Sequence, residues 1–294
     1  MNDIPSYAGG FTVVGGKRET PLESLREIWR FRPLIAELVR RDLKVRYKNR
    51  VGGILWSLFP PLMRVLTIHL MVKFFFDPIE GYSGYLLPVI FLWQFVQNCV
   101  LDASQSLIIN SPLVRKIYFP RAILPLVSMI TNLIHFGISL AFMVVYYFVV
   151  PISHPVFPEN LGWKFLLIVP FVAGISAFAL GLGYLLAYAN TLYDDVRYLT
   201  ITFLELFLYA LPIYYPIERV AARPDLYSYY MLNPVAVWLV GFQRAFLPPI
   251  TPPGTQPYEM PWMFLGIAGI TSVVVLLLGF TIFERSKWAM MERL

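Results

Sequence analysis

Apolar and polar positions in this chain do not alternate; the apolar ones gather into six long stretches, about Ile54–Phe76, Gly84–Ile108, Ala122–Val150, Lys164–Ala189, Leu199–Ile217 and Trp262–Phe283. As helices rising about 1.5 Å per residue, each is long enough to cross roughly 30 Å of hydrocarbon. The pattern predicts an all-α integral membrane fold with six transmembrane helices. An even number of spans places both termini on one side.

The polar connections carry their own patterns. Ahead of the first stretch, "RPLIAELVRRDLKVRYKNR" has Leu34, Ile35, Leu38, Val39 and Leu43 spaced by three or four, with Pro33 at an early helical position, so it reads as an amphipathic helix. The cations opposite its stripe predict that it lies along the inner leaflet rather than crossing it. The second connection, "SPLVRKIYFPRAILPL" (111–126), sets Pro112 to start a short helix and Pro120 to stop it. Leu113, Val114, Ile117, Tyr118 and Phe119 then form a small apolar-aromatic surface on the water side. In the fifth connection, Asn233 and Pro234 divide two apolar pieces that are each too short to span. Two short helices dipping into, or packed on, the outer face are expected there. The chain thus divides into an N-terminal arm (1–21), an amphipathic interface region (22–53) and a six-span domain (54–294).

Composition agrees with lipid as the solvent: 57% of residues are hydrophobic, 14% are charged and mean hydropathy is +0.62. The net charge of +6 invites a nucleic-acid reading until its distribution is considered. Lys and Arg concentrate before the first stretch, at Arg115, Lys116 and Arg121, at Arg197, and in the tail, while the opposite connections hold Arg219, Arg223 and Arg244. That bias orients both termini toward the cytoplasm and accounts for the charge without nucleic acid. The single cysteine, Cys99, excludes an intrachain disulfide. The first sixteen residues lack the basic and apolar regions of a cleavable signal peptide.

Catalytic patterns are missing where they would be needed. "GGKRE" has Arg18 where a phosphate loop needs Ser or Thr, and Thr12 where it needs Gly. No nucleophile elbow is complete, and His69, His135 and His154 lack metal-ligand spacing. The chain is therefore not expected to be an enzyme by itself, or to hold a metal. Three ionisable residues inside the stretches need an account: Arg64, Asp102 and Glu205. Either Arg64 pairs with one of the acids, or each side chain snorkels to an interface. Tyr82, Tyr85, Tyr214, Tyr215, Trp163 and Trp262 sit at outer span ends, as an interfacial belt would. Tyr184 and Tyr188 recur at i and i+4 beside Gly181 and Gly183; they read either as packing or as part of a glycan path, since aromatic faces stack on the apolar faces of sugars.

Four segments taken together, "RDLKVRYKNRVGGILWSLFPPL", "SPLVRKIYFPRAILPL", "TLYDDVRYLTITFLELFLYALPIYYPIERV" and "LNPVAVWLVGFQRAFL", resemble the membrane subunits of ABC-2 transporters that export polysaccharides: O antigen, capsule and teichoic acid. The resemblance implies a homodimer in the bacterial inner membrane above two separate ATPase subunits, which would hold the ATP and Mg, with a lipid-linked glycan as substrate. It assigns residues 34–50 to an interface helix, with Arg41, Lys44, Arg46, Tyr47 and Lys48 as its site residues. Pro112, Leu113, Val114, Arg115, Lys116, Ile117, Tyr118 and Phe119 become a coupling helix resting in the ATPase, and 226–247 become gate helices. Two departures stand out: Asp194 replaces the Arg of the family's Arg-Asp-Val motif, and "FPPLMR" stands where Asn-Pro-Leu is common. A smaller-lipid or drug exporter of the same group, or a gradient-driven flippase, is the alternative function.

Overall fold

The computed structural model describes residues 21–47, 55–75, 82–149, 163–249, 257–286 and Met290, and among these there is no strand. The helices in chain order are α1 (Pro21–Arg30), α2 (Arg32–Tyr47), α3 (Leu55–Phe75), α4 (Tyr82–Ile109), α5 (Ser111–Val114) and α6 (Ile123–Val149). After the second gap come α7 (Ile168–Leu192, led in by a 3-10 turn), α8 (Asp195–Phe207), α9 (Ile217–Ala221), α10 (Pro224–Tyr230), α11 (Pro234–Phe246) and α12 (Trp262–Arg285). Among the described residues, four helices are long and apolar enough to cross a membrane: Gly84–Ile109, Ile123–Val149, Lys164–Leu192 and Trp262–Arg285.

Two of the six expected spans look different. The first forms a helix of 21 residues, but Arg64, His69 and Lys73 dilute its apolar character. The fifth was expected over Leu199–Ile217. Instead α8 begins at Asp195 and the helical path ends at Ala210 after a 3-10 turn. Pro212 and Pro216 explain the early end, since a proline lacks the backbone donor and disfavours helical geometry in the residue before it.

Helix α4 is the centre of the bundle. Leu86, Leu92, Trp93 and Leu107 along its length are inaccessible, and α3, α6, α7, α8 and α11 all pack on it. Helices α7 and α12 approach closest where two glycines meet: a Cβ on Gly279 would lie 2.2 Å from the Gly181 carbonyl oxygen. Gly279→Ala should therefore force the helices apart at a cost of about 1–3 kcal/mol, read as a lowered unfolding midpoint in detergent. Gly266→Ala on the same helix is the control, because a Cβ there meets nothing within 4 Å.

At the end of the bundle away from α5, the chain folds back as α9, α10 and α11. Asn233 caps α11 by accepting the Val235 amide at 3.1 Å, which matches the division expected at Asn233–Pro234. Helix α11 is buried from Val235 to Phe246, so it belongs to the core rather than lying on a surface. Its polar residues have partners: Gln243 Nε2 donates to the Tyr85 carbonyl at 2.9 Å, and Arg244 pairs with Glu218 on α9. Tyr82 and Tyr85, expected in an interfacial belt, are likewise buried, and the Tyr82 hydroxyl donates to the Tyr214 carbonyl at 2.7 Å. The Tyr82 hydroxyl thereby satisfies a carbonyl in the non-helical stretch ahead of α9, and the Tyr85 hydroxyl accepts from the Ile217 amide in the first turn of α9 at 3.4 Å.

Candidate functional site

The basic end of the bundle is organised around α5. Pro112 occupies its first turn, and backbone bonds from Lys116 and Ile117 to the Leu113 carbonyl, at 3.1 and 3.2 Å, carry the turn as far as Ile117. Five side chains were expected to form one exposed surface here. Ile117 and Tyr118 do so, at 46% and 80% exposure, but Phe119 is buried, and Leu113 and Val114 are half-buried. Pro112, Arg115 and Lys116 extend the exposed part.

Phe119 turns inward because a second apolar cluster waits beneath it, built from Ile28, Leu38, Val39, Leu107, Ile123 and Phe283 among others. This cluster joins α1, α2, the ends of α4, α7 and α12, and the start of α6, so the α5 segment is seated on several elements at once. The same cluster decides the position of Tyr184 and Tyr188. Tyr184 is 3% exposed, its ring packs on Phe280 and Phe283 at 5.6 and 5.2 Å, and its hydroxyl donates to the Ala122 carbonyl at 3.0 Å. Tyr188 is half-buried in the same cluster. Tyr184 thus braces the link between α5 and α6 from below. Arg121 in that link is half-buried; burial pulls its guanidinium pKa down, while Tyr118 and Glu284 push it up.

Helix α2 is applied to the bundle through its apolar stripe. Leu38 and Val39 are buried in the second cluster, with Leu34, Ile35 and Leu43 packed against it. Protein therefore covers the stripe that was expected to face lipid. Lys44 stays exposed, and Lys48 lies outside the described residues. Arg41 Nη2 donates to Asn110 Oδ1 at 2.8 Å, tying α2 to the end of α4 where α5 begins.

The last turn of α2 makes the most specific contact. Arg46 Nη2 meets Asp102 Oδ2 at 2.8 Å, Arg46 Nη1 donates to Asn132 Oδ1 at 2.8 Å, and Asn132 Nδ2 donates to Asp102 Oδ2 at 2.9 Å. This closed triangle joins α2, α4 and α6. Beside it, the Tyr47 hydroxyl and His135 Nδ1 are hydrogen-bonded at 2.8 Å. Burial raises the Tyr47 pKa against the opposing pull of Arg46, so the phenol stays neutral.

Arg64 does not reach either acid proposed for it, because Asp102 is held by Arg46 from α2. Its Nη1 has no hydrogen-bond partner among the described residues, and it lies within electrostatic reach of Tyr214. Glu205 is exposed on α8 between the equally exposed Phe203 and Leu206. Sequence reasoning expected His135 to pack or hydrogen-bond, as it does with Tyr47, but missed Asn132, although a signal was present. Ser128, Asn132, His135 and Ser139 recur by four, three and four along α6, and Gln94, Asn98 and Asp102 by four along α4. Each set is one polar face of an otherwise apolar helix.

Comparison with known proteins places this arrangement in a family. Residues 33–247 match the family described as ABC-2 type transporter. An O-antigen export system permease protein, RfbA, of Klebsiella pneumoniae is 26% identical over 262 residues, covering 88% of this chain and 94% of the relative. The protein of the same name from Myxococcus xanthus is 26% identical over 223 residues, 76% of this chain and 83% of the relative. The matched region runs from the start of α2 to the end of α11, and so includes the seated α5 segment and the triangle beside it. The chain belongs to the ABC-2 type transporter family and is a multi-pass membrane protein.

Proposed function

We propose that the chain is the membrane subunit of an ATP-driven exporter of a lipid-linked polysaccharide, O antigen by the names of its relatives, in the bacterial cytoplasmic membrane. ATP and Mg act in a separate ATPase subunit. The observation that carries the reading is the α5 segment: exposed Ile117 and Tyr118, flanked by Arg115 and Lys116, on a base that touches α1, α2, α4, α6 and α12. A push on such a segment is transmitted to several helices at once, which is what a subunit lacking a nucleotide site needs. In this reading the α5 end is cytoplasmic, α3 and α8 complete a set of six spans, and α9 to α11 form the re-entrant gate on the outer side.

In this reading two copies of the chain pair through their open faces, each above one ATPase. Trp56, Phe59, Met63 and Leu66 on α3, and Leu199, Phe203 and Leu206 on α8, are exposed, and Glu205 lies within the α8 face. A carboxylate facing hydrocarbon costs at least about 2.5 kcal/mol, so a second subunit or an aqueous path between subunits covers this face better than lipid does.

Co-expression with a candidate ABC ATPase subunit from the same genome tests the proposal. The two should co-purify, and Tyr118→Ala should lower export of glycan to the cell surface by about tenfold or more, the loss expected of a central interface aromatic. Membrane insertion and ATPase activity should persist. Unchanged export in the Tyr118→Ala strain would remove α5 as the coupling element.

A further inference from the structure

Helix α1 is held to the bundle along one edge. Ile28 is buried in the second apolar cluster with Phe283, and the Ser24 hydroxyl, on a buried residue, donates to Glu284 Oε2 at 3.4 Å. The next positions around the helix stay open. At about 100° per residue, Leu25 and Trp29 adjoin the buried edge, and they are 53% and 70% exposed. Arg26 and Arg30 come next, both exposed, and Glu23 and Glu27 lie beyond them. The Arg32 guanidinium stands 5.7 Å from the centre of the Trp29 ring. Among the described residues no carboxylate pairs with Arg26, Arg30 or Arg32.

The contact with α12 sets the depth of this open edge. Helix α12 has 24 residues, about 36 Å at 1.5 Å per residue, against roughly 30 Å of hydrocarbon. Its last turn, which carries Glu284, therefore falls at the boundary of the bilayer, and the bond to Ser24 keeps α1 at that level. Just before it α12 exposes Leu278 and Ile282, an apolar face suited to acyl chains, so lipid extends up to α1. A tryptophan at this depth places an apolar ring in the acyl boundary and its N–H among headgroups. The unpaired arginines beside it complement anionic lipid, each favouring contact by about fivefold.

We infer that α1 is an anionic-lipid anchor: Leu25 and Trp29 enter the acyl boundary of the leaflet at the α5 end, and Arg26, Arg30 and Arg32 take the phosphates of acidic headgroups such as phosphatidylglycerol. The lipid contact expected of α2 thus falls to α1. Lipid charge also bears on the seat of α5, because Ile28 and Phe119 share one cluster.

The test places a nitroxide at Leu25→Cys in a Cys99→Ser background, with the full chain in nanodiscs of phosphatidylcholine alone or with one-third phosphatidylglycerol. Collision rates with oxygen and with a water-soluble nickel chelate report depth. Phosphatidylglycerol should raise the oxygen-to-nickel ratio about fivefold or more, the effect of at least one arginine. Arg26→Gln, Arg30→Gln and Arg32→Gln together should abolish the rise. Arg26→Lys, Arg30→Lys and Arg32→Lys together should keep it, since a charged surface reads point charge, and about 0.5 M salt should weaken it. A nitroxide at Leu278→Cys should stay in hydrocarbon in every variant, which separates release of α1 from unfolding. A position-25 label open to nickel in both lipids, or a ratio indifferent to the glutamine replacements, would overturn the inference. A ratio that shifts only when the ATPase subunit is added would overturn it in favour of a protein-docking edge. None of these readings depends on the export function proposed above.

Discussion

Arg244→Ala should deplete the protein from the membrane and cost about 3–5 kcal/mol of stability, the range expected when one member of a buried ion pair is removed. The side chains of Arg244 and Glu218 are 3% and 0% exposed, so the stranded carboxylate has no access to water. The pair also joins α9 to α11, two elements too short to hold their place by themselves. Glu218→Ala should do similar damage by leaving the guanidinium unpaired. The double replacement Glu218→Leu with Arg244→Met should recover most of the loss, since well-packed apolar residues often match a buried pair in stability. Thermal unfolding of the three variants in detergent checks this; a double variant as unstable as either single one would show that the pair's other bonds, such as Arg244 Nη1 to the Pro248 carbonyl at 3.3 Å, matter more than the cancelled charges.

Asp102→Ala should leave the bundle folded but release the end of α2. Arg46 would keep one bond to Asn132 and lose its carboxylate, a charged hydrogen bond of about 1.5–3 kcal/mol. Hydrogen exchange in residues 41–47 should then accelerate by about tenfold or more, with α6 and α7 unchanged. Export should fall with it, because α2 would no longer report movement of the α5 end to α4 and α6. The exchanged pair Arg46→Asp with Asp102→Arg should restore part of the protection, since Asn132 offers both a donor and an acceptor to either arrangement. Unaltered exchange in α2 after Asp102→Ala would mean that the apolar stripe alone holds the helix.

These two ion pairs mark the limit of what the sequence shows. Helices α4, α6, α7 and α12 were legible to within a few residues because long apolar runs in lipid have few alternatives to a helix. The basic α5 segment and the break at Asn233–Pro234 were legible from proline chemistry. The end of α8 was not, since hydropathy continues through "LPIYYP" after the helix has stopped. Partner choice was not legible either. Arg64, Asp102 and Glu205 are conspicuous in a linear reading, but Asp102 was claimed by Arg46, which stands among so many cations that none looked special. Tyr184 and Tyr188 had the spacing of a lining stripe, and only the position of α12 shows that Phe280 and Phe283 cover Tyr184. Polar residues at helical spacing on α4 and α6 were the readable sign that α2 docks there, and their pairing needed the fold.

The central claim is that this chain moves a glycolipid only when a separate ATPase acts through the α5 end. Reconstitution of the chain with that ATPase in vesicles loaded with the host's lipid-linked glycan tests it most directly, with lectin binding reporting glycan on the far leaflet. The account predicts lectin signal that requires ATP and the ATPase and is lost in the Tyr118→Ala complex. Signal without ATP, or equal signal from the Tyr118→Ala complex, would contradict it.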